Sequence, residues 1–130
     1  MSSDPITWIV AGLEIAVALG IAVYWVTWFR EPRDEPWLPA GFVDHEAPFV
    51  FTDSLLALLL VVGAILQVAE RHAGDSLGLI AAGMLGFLGV LDLAYFTRTG
   101  LFARVRGGTV NAGVVVGVLT LAVVLVVRFF

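Results

Sequence analysis

Four long apolar runs, separated by charged or proline-rich breaks, constrain this sequence more than anything else in it. They extend from about Ile6 to Phe29, Phe49 to Ala69, Ser76 to Thr97 and Thr109 to Val127. A hydrocarbon core about 30 Å thick needs about 20 apolar residues at about 1.5 Å rise each, so every run is long enough to cross a bilayer as a helix. Backbone amides find no water there, and the helix becomes the default even for the valine-dominated fourth run. The expected fold is all-α: an integral membrane four-helix bundle forming a single transmembrane domain over residues 1–130.

The breaks carry their own signals. Asp4-Pro5 is a sensible helix start, since proline tolerates the first turn, and Arg30-Glu31-Pro32 stops the first run. The first loop, from Arg30 to about Pro48, holds four of the five prolines. Trp37 and Phe42 are placed there to lie on the membrane interface, with room for a short surface helix near Phe42 to Glu46. Glu70 to Asp75 reads as a tight turn and Arg98 to Gly108 as the last loop. No basic side chain precedes the first run, which is also longer than the apolar stretch of a signal peptide, so it is expected to be retained. The two halves do not align, which gives no support to an inverted-repeat transporter within one chain.

Composition excludes several classes of function. Only 14% of residues are charged, against about 25% in ordinary soluble domains. Cysteine is absent, which removes disulfides, thiolate metal sites and dithiol redox chemistry. The net charge is −4 and all seven basic residues are arginine, a balance that does not suit nucleic acid. The lack of lysine fits a GC-rich or salt-adapted source, and the expected location is the cell membrane of a prokaryote. Asp44-His45-Glu46 with His72 resembles a metal cluster only superficially: no paired-histidine helix spacing exists, and neither a metal nor a cofactor is expected.

Ionisable groups within a span are costly and mark functional sites by default. Three qualify: Glu14, Asp53 and Asp92. At helical spacing Glu14 shares a stripe with Ala18, Ile21, Trp25 and Trp28, and Asp53 shares one with Ala57, Leu60, Ala64 and Gln67. Asp92 shares a third with Gly78, Ala82, Leu85 and Gly89. Small residues let helices approach, so these three faces are expected to point into the bundle. The fourth run offers Asn111, Val115, Val118 and Ala122, with Gly113 and Gly117 offset, and reads as a packing wall.

Measured inward from the end that holds the first and third loops, Asp53, Asp92, Tyr24 and Asn111 all fall roughly 5–8 Å deep. Tyr95 is shallower, Glu14 lies at roughly 22 Å and Gln67 at about 27 Å. The expectation is a polar pocket open at that end, with Glu14 beyond its floor. Other readings stand beside this one. Asp53 could cap a helix, Asp92 could reach an interface, and Glu14 could pair with Gln67. Tyr24, Tyr95, Trp25 and Trp28 could form an aromatic belt, and Asn111 could stitch two helices together. His45 at the pocket mouth suits a proton relay or a substrate contact.

These residues support binding or transport of a small solute, cation or amphipathic molecule, with the carboxyl groups as proton or cation sites. Burial favours the neutral form of a carboxyl group, which can then exchange a proton with substrate. Four short helices enclose little of a pathway, so a homodimer is expected, with glycines of the third and fourth runs as contacts. A four-span chain of this length with Glu14 in its first helix resembles the small multidrug resistance exporters, which work as proton-coupled dimers through such a carboxylate. The resemblance is confined to Glu14 and the span count. The exporters' aromatic and glycine motifs are absent, the first loop is far longer, and Asp53 and Asp92 are additions, so the chain is not assigned to that family. Two alternatives remain. One is a membrane enzyme acting on a lipid or isoprenoid through paired carboxylates, similar in architecture alone to sterol-isomerase-like bundles. The other is an accessory subunit packed in a larger membrane complex.

Arginine sets the expected orientation. The first and third loops hold Arg30, Arg33, Arg98, Arg104 and Arg106, and the other side holds only Arg71 and Arg128. Five against two puts those loops in the cytoplasm and both termini outside. A fluorescent protein fused to the C-terminus is therefore expected to stay dark in cells, and bright cytoplasmic fluorescence would reverse the assignment.

Overall fold

A computed structural model describes residues 1–31, 33–103 and 107–130. Pro32, assigned above a part in ending the first helix, and Arg104 and Arg106, two of the arginines behind the orientation, lie outside the described residues.

The first helix, α1, spans Pro5–Arg30. Asp4 caps it, its Oδ1 accepting a 2.9 Å hydrogen bond from the Ile6 amide, while Pro5 occupies a first-turn position where no amide donor is needed. A short helix α2, Phe42–Glu46, interrupts the first loop. The remaining three are α3 Phe49–Val68, α4 His72–Thr99 and α5 Gly108–Phe129. The chain is all-helical, and α1, α4, α5 and the Phe42–Val68 stretch are each long and apolar enough to span a membrane, which fits a four-helix integral membrane bundle. At about 1.5 Å per residue, the 26 residues of α1 and 28 of α4 exceed a hydrocarbon core, so their ends reach the headgroup region.

The largest difference from the expected boundaries is at the start of α4. Residues 72–75 belong to α4 and not to a turn. The reversal is compressed into Glu70, at φ 59°, and the extended Arg71. Gly74 explains how α4 starts so soon: a Cβ there would lie 2.6 Å from the backbone nitrogen of Gln67. Without a side chain, the first turn of α4 seats directly on the last turn of α3.

Packing runs in series. α1 lies against α3, α3 against α4 and α4 against α5, while α1 and α5 scarcely touch. α4 is the common wall, and its glycines set its distance from α5 as well. A Cβ at Gly89 would meet Leu119 at 2.5 Å, and one at Gly78 would meet the Phe129 ring at 2.7 Å. Leu56 and Leu60 of α3, Leu85 of α4 and Leu125 of α5 form the fully buried centre. In hydrocarbon, where lipid tails are as apolar as leucine, such van der Waals fit supplies the association. At the end carrying the termini, a polar clasp ties three helices together. The Ser2 amide donates to the Val68 carbonyl at 2.7 Å, and the Arg128 guanidinium donates to Asp4 at 3.0 Å and to the Thr7 hydroxyl at 2.9 Å.

Gly74→Ala drives a methyl group into the α3 backbone and is expected to lower stability by about 1–3 kcal/mol. Gly83→Ala, where a Cβ meets nothing within 4 Å, should be neutral or stabilising by up to about 1 kcal/mol, as helix propensity dictates. Thermal unfolding of both variants in detergent, followed by circular dichroism, checks this. Equal melting temperatures for the pair would disprove the close contact.

Candidate functional site

The first loop folds back over the bundle instead of extending from it. The Arg33 guanidinium carbon sits 4.8 Å from the Trp28 ring centre and 5.7 Å from that of Tyr24, within reach of cation–π attraction. Phe42 packs between Trp28 at 6.1 Å and Tyr95 at 6.4 Å. His45 stacks on Tyr95 with centroids 4.0 Å apart and planes 10° from parallel. These rings pin α2 across the end of the bundle and turn its last residue, Glu46, inward to 9% exposure. The Tyr24 hydroxyl donates to Glu46 Oε2 at 3.4 Å, and His45 Nε2 lies 4.0 Å from Oε1.

Under this roof lies a cavity of about 660 Å³, the size of many small-molecule sites. Its deep part is apolar, built from Val17, Ile21, Leu56, Leu85 and Leu88. Its upper part is polar and, among the described residues, unbalanced in charge: Glu35, Glu46, Asp53 and Asp92 line it, against the single guanidinium of Arg33. The neighbours of these groups differ. Asp53 Oδ2 accepts a 2.9 Å hydrogen bond from Trp25 Nε1, and Asn111 is committed to the Leu101 carbonyl at 2.6 Å. Asp92 has no hydrogen bond or ion pair with any described residue, although it lines the cavity and is partly buried.

The nine residues singled out from the sequence divide into three groups. Tyr24, Asp53, Asp92 and Asn111, expected at one depth, all line the cavity. Trp25, Tyr95 and His45 stand around it, holding Asp53 or α2 in place. Glu14 and Gln67 form a separate pair deeper in the bundle. Glu14 is fully buried, and the Gln67 amide donates to its Oε2 at 3.3 Å and to the Gly74 carbonyl at 3.1 Å. Both amide hydrogens are thereby used, and Oε1 of each side chain has no donor among the described residues. A Cβ at Gly63 would lie 3.5 Å from both polar groups, so glycine leaves the room in which they meet.

Three expectations are corrected. Asp53 is not a helix cap, because α3 begins at Phe49 with Pro48 preceding it and Asp53 sits a full turn inside. Of the four aromatic residues read as a belt, Trp25 and Trp28 are buried against protein, whereas Tyr24 stays exposed. The cavity is not simply open at the loop end either. Leu38, Phe42 and Glu46 roof it there, because the aromatic contacts hold the loop down. Glu46 itself escaped notice because it stood in a charged loop. Phe42, Glu46 and Phe49 fall on one helical face, and that spacing was the available signal.

No family model matches the chain, and no curated protein and no solved structure is significantly similar to it.

Glu14→Leu and Gln67→Leu each leave one buried polar group without its mate and are expected to destabilise by about 1–3 kcal/mol. The double variant should cost less than the two singles together, because neither polar group remains. Additivity within about 0.5 kcal/mol in detergent unfolding would show that the pair is not coupled.

Proposed function

We propose that this chain binds an organic cation with an apolar body in the cavity beneath α2. The observation that carries the reading is Asp92, a cavity-lining carboxyl group with no partner among the described residues, in a wall whose described residues set four acids against one arginine. Charge-assisted hydrogen bonds from an ammonium group to a carboxylate are among the strong ones available to a protein. Asp53 and Glu46 are already engaged by Trp25 and Tyr24, which holds them at fixed positions as flanking charges. The leucine-rich floor accepts the apolar body of the ligand. The cavity end bearing α2 faces the cytoplasm in this reading, following the arginine distribution.

Moving the bound cation across the membrane is the natural extension of this reading. Glu14 lies beyond the cavity floor and bonded to Gln67, where it would serve as a second carboxylate station toward the opposite face.

The test is equilibrium binding to the purified protein in a neutral detergent, using octylamine and its uncharged counterpart octanol. Wild type is expected to bind the amine at least tenfold more tightly than the alcohol. Asp92→Asn should erase most of that preference, worth about 1.4 kcal/mol per tenfold, and should leave the melting temperature near that of wild type. Equal affinity for amine and alcohol, or an Asp92→Asn variant that still discriminates, would sink the reading. Conversion of the bound amine to a new species by mass spectrometry would move the protein to the enzymes.

A further inference from the structure

The cavity has two unlike sides. Its back wall comes from α3 and α4, and none of the cavity-lining residues of those helices is exposed. Its front edge comes from α1 and α5, the neighbouring pair that scarcely packs together. There Gly20 and Tyr24 on one helix, and Val110, Gly113, Val114 and Gly117 on the other, line the cavity and are exposed at the same time. A residue that does both stands at an opening. A Cβ at Gly20, Gly113 or Gly117 would meet nothing within 4 Å, so the lips of this opening are not packed against each other.

We infer that the ligand of the cavity is a bilayer-dissolved, single-chain amphiphile whose cationic head reaches Asp92 and whose chain lies in the seam between α1 and α5. This inference rests on the cation-binding reading above and adds to it the class of ligand and its route. Three observations converge on it. The seam falls within the membrane-spanning lengths of α1 and α5, so what lies outside it is hydrocarbon. The loop end is largely roofed by α2 and the segment before it: among the described residues only Trp37 and Gly107 there both line the cavity and stand exposed, against six along the seam, so the lateral side is the wider way in. The polarity runs in the matching sense, with acids under the roof and aliphatic side chains from Val17 and Ile21 to Val114 and Val118 along the seam. A compact water-soluble cation would satisfy the acids and leave this apolar cleft without an occupant. Glycine on both lips is then the residue that leaves room for a methylene chain to pass.

The experiment uses the full chain in neutral detergent and two amines: octylamine, and an octadecylamine carrying a photoreactive diazirine at mid-chain. On irradiation, adducts are expected on α1 and α5 along the seam, competed by unlabelled octadecylamine and lost in Asp92→Asn. Gly117→Trp fills the seam from α5 and should weaken octadecylamine at least tenfold, and by more than it weakens octylamine. Gly20→Trp, filling it from α1, should do the same, which keeps the test alive if one variant fails to fold. Adducts spread evenly over the outer faces of all helices, or tryptophan variants that bind octadecylamine as wild type does, would overturn the lateral seam and leave the cation site standing. Loss of the reading itself would look different: neither amine would depend on Asp92.

Discussion

Everything in this bundle hangs on how closely α4 lets its neighbours approach. Gly74 brings it onto the backbone of α3, and Gly78 and Gly89 bring it onto Phe129 and Leu119 of α5. In hydrocarbon there is little gain from hiding one apolar surface against another, and short contact distances have to supply the cohesion. α4 concentrates those contacts on two sides of itself. α1 joins mainly through α3, and so the four spans make a series in which the first and last members are only sparsely packed against each other. The cavity is the space which that pair leaves, and the first loop covers one end of it.

The polar groups inherit their roles from this arrangement. Among the described residues that line the cavity near the loops, acids outnumber bases, and aromatic donors hold two of them: Trp25 to Asp53 and Tyr24 to Glu46. Neither donor carries a charge, so the local excess of acid is held in place without being neutralised. Deeper in, Glu14 and Gln67 meet in space vacated by Gly63 and next to the tight Gly74 contact. The same small residues that allow close packing thus also decide where a buried amide can reach a buried acid.

Much of this was legible in the sequence, for a simple reason. Within a span the period of about 3.6 residues is rigid, and one acid on a stripe of small residues identifies the inward face. Glu14 with Ala18 and Trp25, Asp53 with Leu60 and Gln67, and Asp92 with Gly78 and Leu85 all turn inward in that register. Depth counting likewise brought Tyr24, Asp53, Asp92 and Asn111 to one level. What escaped was set by contacts remote in sequence. Neither the roof, made by Phe42 against Trp28 and His45 against Tyr95, nor the inward turn of Glu46 follows from local pattern without knowing that the loop folds back. The sparse packing of α1 on α5 is a property of the whole bundle, and a fourth helix lined with valine and glycine looked like wall from its own sequence.

The clasp at the termini gives this bundle a mechanical bias. Among the described residues, the polar contacts joining α1 to α5 are those of Arg128 with Asp4 and Thr7, all at one end of both helices. Where two rods are tied at one end and only sparsely packed along the rest, separation takes the form of rotation about the tie, and displacement grows with distance from it. The widest excursion then falls at the far end, beside α2, where the acids are. A small angular change at the Arg128 pivot becomes a large change of gap where a chain would pass, and the geometry there works as a lever.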